Sequence, residues 1–333
     1  MKLFWLAAAA IWLVTAPAQA GRLEQVKSRG YLNCGVFPGV AGFATVAKDG
    51  RYSGFDTDIC RAVAAAIFGT PDKVKFTDVA TVDAFRRNAA LDLVIRRLTW
   101  TLTRENPLGL MFGPIIYYDG QGFLIPKSVG VTSAKQLTGK RICVQLGEGW
   151  GGNLRRYAQA NALDLKSVLV SSRQDGEERF FNGHCDAFSA DKTMLGAIRA
   201  DAEHPADYDI LPEQISKEPL APLVRQGDDK FFQAVRWTVF AMIEAEELRV
   251  TSKNIAEMRG SADPDVKVLL GVEPGNGKAL GLSEHWAADI IAGVGNYGEL
   301  FNRNIGSDSA IGLDRGLNRL WTDGGLIYAP PVR

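Results

Sequence analysis

Only three histidines occur in 333 residues. His184, His204 and His285 stand far apart and lack the spacing of metal ligands, so surface or packing roles are expected. No Ser-His-Asp or Cys-His set presents itself, which leaves the familiar nucleophilic mechanisms without their parts. An excess of one charge is also missing. The 38 Lys and Arg balance 38 Asp and Glu, so there is no general attraction to nucleic acid or an acidic membrane surface. Beyond the N-terminal segment no apolar run approaches the roughly 20 residues that span a bilayer. Cysteine is limited to four positions.

What is present begins with an export signal. Lys2 precedes an apolar stretch from Leu3 to Val14, and Ala18-Gln19-Ala20 forms an A-x-A cleavage site. Residues 1–20 therefore read as a signal peptide, and the mature chain is expected to start at Gly21. That residue is not cysteine, so no lipid anchor is expected, and a soluble periplasmic protein is the simplest outcome. Four cysteines in an exported chain suggest two disulfides, with three possible pairings. Cys34 falls in a strand, Cys60 in the next helix, and Cys143 and Cys185 in two later strands. Pairing neighbours in sequence keeps each bridge within one folding unit. Such loops would stabilise by roughly 3.5 and 4 kcal/mol on the chain-entropy model. The residues themselves leave the pairing open.

The mature length of roughly 310 residues exceeds a single ordinary core, so two domains are expected. The first unit alternates strands (Tyr31 to Val36, Val74 to Val79, Leu91 to Ile95) with a helix carrying Phe55, Ile59, Val63 and Ile67 that stops at Gly69. That order predicts a parallel, doubly wound sheet. A second unit repeats it, with strands at Arg141 to Leu146, Lys166 to Val170 and Cys185 to Phe188. Its helices are predicted at Asn153 to Ala162, Glu177 to Asn182 and Thr193 to Ala200. After Pro222 the chain turns helical. Asp228 and Asp229 can cap a helix with Phe232, Val235, Val239 and Ile243 on one face. Another helix carries Trp286, Ile290, Val294, Tyr297 and Phe301. Tyr117 to Phe123 and Glu218 to Arg225 look like crossings between the units. Two crossings make the first unit discontinuous: 21–118 with 224–333 form one lobe, and 119–223 form the other, hinge strands included. A cleft between hinged lobes suits closure around a ligand.

The most informative stretch is Leu91-Asp-Leu-Val-Ile-Arg-Arg-Leu-Thr-Trp-Thr-Leu-Thr-Arg104. A buried strand feeds a hydroxyl-rich turn, and ligands collect where parallel strands end. Thr99, Thr101 and Thr103 supply hydroxyls. Arg104 supplies a forked cation that can bind a carboxylate through two parallel charge-assisted hydrogen bonds. Gly147, Gly149 and Gly152 satisfy G-x-G-x-x-G between a strand and a helix, but no acid ends the next strand, Val168-Leu-Val-Ser-Ser172, as a dinucleotide site requires. The free amides of that helix could still attract an anion.

With these residues placed, the chain resembles the periplasmic solute-binding proteins of polar amino acid ABC transporters (solute-binding protein family 3), and within them the general L-amino-acid-binding subfamily. The stretches that carry the likeness span the mature chain. They include Ile59-Cys-Arg-Ala-Val-Ala-Ala-Ala-Ile-Phe-Gly69, Thr99-Trp-Thr-Leu-Thr-Arg104, Tyr117-Tyr-Asp-Gly-Gln-Gly-Phe123, Ala292-Gly-Val-Gly-Asn-Tyr-Gly-Glu299 and Gly325-Leu-Ile-Tyr-Ala-Pro-Pro-Val-Arg333. The resemblance implies an α/β, two-lobed type II binding-protein fold whose discontinuous first lobe is closed by C-terminal helices. It implies the disulfides Cys34–Cys60 and Cys143–Cys185, and no cofactor. It also implies a free amino acid or similar small carboxylate as ligand and an inner-membrane ABC permease as partner, with the protein working as a monomer. Residue by residue, Arg104 matches the arginine that grips the ligand α-carboxylate, and Thr99 matches a small hydroxyl residue near the ligand backbone. Asp191 matches the carboxylate that receives the α-ammonium, and it could equally cap the helix that follows it.

The second-lobe loop departs from the family. Where the family places Gly-Thr-Thr-Thr, this chain has Gly147-Glu-Gly-Trp-Gly-Gly152. Glu148 brings negative charge towards a site meant for an anion, at a cost of several kcal/mol in a water-poor cleft unless a cation intervenes. Arg97 stands where the subfamily tends to have asparagine and is expected to pair with Glu148 across the cleft or to contact the ligand, with Gly149 beside it. Pro38 and Val40 occupy positions where relatives often place ligand contacts. The leading expectation is a non-catalytic receptor. One alternative is a dehydratase-like enzyme on the same fold with Glu148 as general acid. Another is a sensor or scaffold subunit that no longer binds a ligand.

Overall fold

The computed structural model describes residues 21–105, 109–147 and 149–333. Two five-stranded sheets organise it. In the first, Leu32–Val36 lies between Val74–Asp78 and Leu93–Val94, all parallel. Leu223–Arg225 then enters antiparallel between Leu93–Val94 and Leu110–Phe112. The second sheet repeats the plan. Arg141–Gln145 lies parallel between Lys166–Val170 and Ala187–Asp191, and Gln121–Pro126 runs antiparallel beside Ala187–Asp191. The sheets are therefore mixed rather than purely parallel as the strand–helix order predicts. The discrepancy lies in the return strands, which follow the crossings rather than a helix.

The strand at Leu93–Val94 is only two residues long, yet it holds the centre. Leu93 faces the large core with Cys34, Val36 and Ile59, while Val94 faces a smaller cluster with Val79, Phe85 and Leu98. A strand covered on both faces reads as a continuous apolar run, as this one does. The helix Phe55–Phe68 buries Ile59, Val63 and a run of alanines. It meets Trp286–Gly293 and Asp229–Glu247, where small side chains let the helices approach closely. Its entry requires glycine. Gly54 has φ 128°, and a Cβ there would stand 2.2 Å from the Phe43 carbonyl oxygen. A separate core around Phe123, Ile142, Phe180 and Phe188 fills the second sheet unit.

Both disulfides pair sequence neighbours. Cys34 on its strand joins Cys60 on the following helix, and Cys143 joins Cys185. Cys185 lies just before its strand, which runs Ala187–Asp191. Three helices also differ from expectation, among them the one expected at Glu177 to Asn182, which runs Arg173–Phe181. The helix predicted from Asn153 begins at Trp150. The stripe from Trp286 to Phe301 is two helices, Trp286–Gly293 and Tyr297–Asn304. Gly295 turns the chain between them at φ 96°, and Asn296 starts the second through a capping box with Glu299.

The two sheet units are joined by a short antiparallel pair, Tyr117–Asp119 with Glu218–Leu220. The C-terminal segment braces this pair. The Asn318 side chain accepts from the Tyr118 amide at 2.6 Å and donates to the Tyr118 carbonyl at 3.1 Å. Arg199, on the Lys192–Ala200 helix of the second unit, donates to the carbonyls of Ile311 and Gly312. A cavity of about 350 Å³ lies between these parts, lined by Tyr118, Lys192, Arg199 and the segment from Gly312 to Asn318. Among the described residues no helix is long and apolar enough to cross a membrane.

Candidate functional site

The C-terminal ends of Leu93–Val94 and Ala187–Asp191, and the crossing pair, converge on one cluster of charge. Asp191 ends its strand and occupies the N-cap position of the next helix without making a side-chain cap bond. Its carboxylate instead accepts from the Trp150 indole N–H at 2.9 Å. Burial, and then the neighbouring Asp119 carboxylate, push Asp191 up to about 7 against the pull of Arg97. The helix-capping alternative for Asp191 is thus not realised, and its second oxygen has no cap to serve.

Asp119, on the first crossing strand, is nearly fully buried. It accepts from the Gly120 amide at 2.8 Å and from the Thr193 hydroxyl. Burial raises its pKa. Directly opposite in register stands Glu218. One Glu218 oxygen accepts from the Thr99 hydroxyl at 2.7 Å and the other from Ser216 at 3.0 Å. Asp191, Asp119 and Glu218 thus gather three carboxylates on one side of the cluster.

Arg97 faces them from the first lobe. Its guanidinium donates to the Thr193 hydroxyl at 3.3 Å and lies 5.5 Å from the centre of the Phe43 ring. It also favours ionisation of Asp119, Asp191 and the buried Asp56. Asp56 is pushed up to about 7 by burial despite Arg97 and Arg96, and its Oδ2 has no hydrogen-bond partner.

Arg104 sits on the short helix Leu102–Glu105 at the exposed rim. Its guanidinium donates to the Thr99 carbonyl at 3.0 Å. Arg104, Thr99 and Glu218 are thus chained together beside the crossing strands, while Arg104 and Asp191 make no contact with each other. Gly149 adopts φ 81° and is the N-cap of Trp150–Ala160, which aims the Trp150 indole inward. Gln121, fully buried, donates to the Trp150 carbonyl at 3.1 Å and to Ser189 at 2.8 Å, fixing the start of that helix. Glu148 lies outside the described residues, and its pairing with Arg97 with it. Val40 is buried in the first core and so is withdrawn from the cleft. All three histidines are exposed, and no metal-binding cluster occurs among the described residues.

Sequence reasoning missed Asp119, Glu218 and Trp150 as site residues. Each lay within a quoted motif. The two acids are the acidic residues of the two crossing segments, and Trp150 is the one large apolar side chain in a run of glycines. Chemically, the cluster offers hydrogen-bond acceptors with partial negative charge on the second lobe and two guanidinium groups on the first. That polarity suits a small zwitterion.

Comparison with known proteins agrees with this layout. Residues 32–255 match the model of the bacterial extracellular solute-binding proteins, family 3. The chain is 44% identical over 332 residues to the general L-amino acid-binding periplasmic protein AapJ of Rhizobium johnstonii, covering 98% of this chain and 97% of that one. It is 44% identical over 324 residues to the glutamate/glutamine/aspartate/asparagine-binding protein BztA of Rhodobacter capsulatus, covering 96% of each. A solved ABC transporter periplasmic binding protein from Brucella ovis, with glutathione bound, superposes with a TM-score of 0.84 at 46% identity, covering 95% of this chain and all of that one. Family and relatives are binding proteins rather than enzymes, which sets the dehydratase-like alternative aside. The chain belongs to the bacterial extracellular solute-binding proteins, family 3.

Proposed function

We propose that this chain is the periplasmic receptor of an ABC importer for amino acids or closely related zwitterions. The signal peptide 1–20 is removed after Ala20, and the mature protein hands its ligand to an inner-membrane permease as a monomer. The lobes divide as 21–118 with 224–333 and 119–223. Arg104 and the Thr99 hydroxyl receive the ligand carboxylate, and Asp191 receives the ammonium. Arg97, Gly149 and Glu148 border the rest of the ligand. A zwitterion would draw Arg104 and Asp191, which stand apart in this structure, onto its two ends as the lobes close. Relatives named for general amino acid binding, and for glutamate, glutamine, aspartate and asparagine, support this ligand class. The glutathione held by the Brucella ovis relative extends it to small peptides with an amino-acid head.

The single observation that carries the proposal is Asp191. It is a largely buried carboxylate at the end of a second-lobe strand, steadied by one indole N–H and facing a first-lobe cation. Buried carboxylates need a partner, and a ligand ammonium supplies it. The test is calorimetric titration of protein stripped of ligand by denaturation and refolding, against a panel of L-amino acids and glutathione. At least one should bind, and Arg104→Ala should abolish that binding. A folded protein that takes up none of them refutes the proposal.

A further inference from the structure

Among the described residues, three other than glycine have positive φ: Ala162, Arg249 and Arg97. Ala162 and Arg249 follow the helices Trp150–Ala160 and Asp229–Glu247, where a left-handed residue is ordinary. Arg97, at φ 53°, follows a strand and closes no helix. The left-handed region suits glycine and asparagine, and a long cation held there at a cleft signals a task for its side chain.

The surroundings say what that task is. The guanidinium reaches from the first lobe to Thr193 on the second, where it meets a neutral hydroxyl. Asp119 and Asp191 lie within its electrostatic reach, and Glu218 bears on Asp191 from the crossing strand. Thr193 and Gly120 already donate to both oxygens of Asp119, and Thr99 and Ser216 to both oxygens of Glu218. Among the described residues the Asp191 carboxylate accepts one side-chain hydrogen bond, from the Trp150 indole N–H. It has room for another donor, and the Arg97 guanidinium reaches Thr193, two residues further along the chain; the buried Asp56, whose Oδ2 is also unpartnered, meets the Arg97 backbone amide instead.

We propose that Arg97 is a resident cation that offsets Asp191 in the empty cleft, is displaced by the ligand ammonium, and then binds a second carboxylate on the ligand. This rests on the receptor reading above and narrows its ligand class to amino acids or short peptides that carry a second carboxylate. Two cations a few ångströms apart repel, so an ammonium arriving at Asp191 drives the guanidinium away. The backbone of Arg97 stays fixed while its long side chain swings, and the nearest new anion is the ligand's own. Guanidinium is suited to that role because it can grip a carboxylate through two hydrogen bonds.

The experiment is calorimetric titration of wild type, Arg97→Asn and Arg97→Lys with two matched ligand pairs: glutamate against glutamine, and glutathione against its C-terminal amide. Asparagine accepts the left-handed backbone, so Arg97→Asn should fold, and a thermal melt checks it. Arg97→Lys keeps the charge should Arg97→Asn fail. The expected result is that wild type favours the dicarboxylate of at least one pair by tenfold or more. Arg97→Asn should erase that preference while binding the uncharged member as well as or better than wild type, and Arg97→Lys should keep part of the preference. Equal affinity within both pairs for wild type, or equal losses for both members in the variants, overturns this inference and leaves the receptor reading standing. If wild type binds no zwitterion at all, the receptor reading fails and takes this inference with it.

Discussion

Asp191 and Asp56 are each pushed up to about 7 by burial, and the two make opposite kinds of prediction. Asp191 must be ionised to hold an ammonium. Affinity for the ligand should therefore rise as pH increases from about 5 through 7, and Asp191→Asn should weaken binding by more than about 100-fold while flattening that pH dependence, as calorimetry at several pH values would show. Asp56 bears on stability. Its folded pKa exceeds the unfolded value, so the native state holds the proton more tightly. That stabilisation is full below about pH 4 and is lost as pH rises to about 7, with an upper limit of about 4 kcal/mol. Asp56→Asn should accordingly gain on wild type as pH rises from 5 to 8 in urea unfolding. Equal slopes for the two proteins would contradict it. At this scale Asp191 was singled out through the family likeness, not through any local pattern of its own. Asp119 and Glu218 were not. Their meaning comes from standing opposite each other in the crossing pair, and no local pattern encodes that register.

At the scale of elements, the loop that departs most from the family still builds a helix start. Gly149 takes φ 81° as N-cap, and the helix begins at Trp150, three residues before the position predicted from sequence. The prediction failed because glycines argue against a helix by propensity. Here tertiary bonds override propensity: Gln121 holds the Trp150 carbonyl and Asp191 holds its indole. Gly149→Ala should cost about 1 kcal/mol in unfolding free energy, because alanine resists the left-handed region. It should also weaken ligand binding by shifting Trp150. Unchanged denaturation and affinity would show that this backbone conformation is not required. The stripe from Trp286 to Phe301 teaches the converse. Its periodicity was legible, but Gly295 and the Asn296 capping box divide it into two helices. A hydrophobic period tells which face is buried and does not by itself show that the helix is continuous.

For the whole molecule, the two-lobed α/β design was legible from strand–helix alternation, two crossings and family likeness. The antiparallel return strands were not, because short strands after a crossing leave no helix to mark them. The brace across the crossing pair was also hidden. Asn318 lies 200 residues from Tyr118, yet supplies both a donor and an acceptor to it. Asn318→Ala should leave the Tyr118 backbone unsatisfied and cost about 1–3 kcal/mol of stability. It touches no proposed ligand contact, so any change in ligand affinity would report on the hinge. A variant as stable as wild type would show the brace to be dispensable. The central claim is that a ligand closes the lobes by joining Arg104 to Asp191. Small-angle X-ray scattering of stripped protein, with and without saturating ligand, tests it most directly. The radius of gyration should fall on ligand addition in wild type and stay constant in Asp191→Ala. Ligand binding with no change in wild type, or the same contraction in Asp191→Ala, would contradict the account.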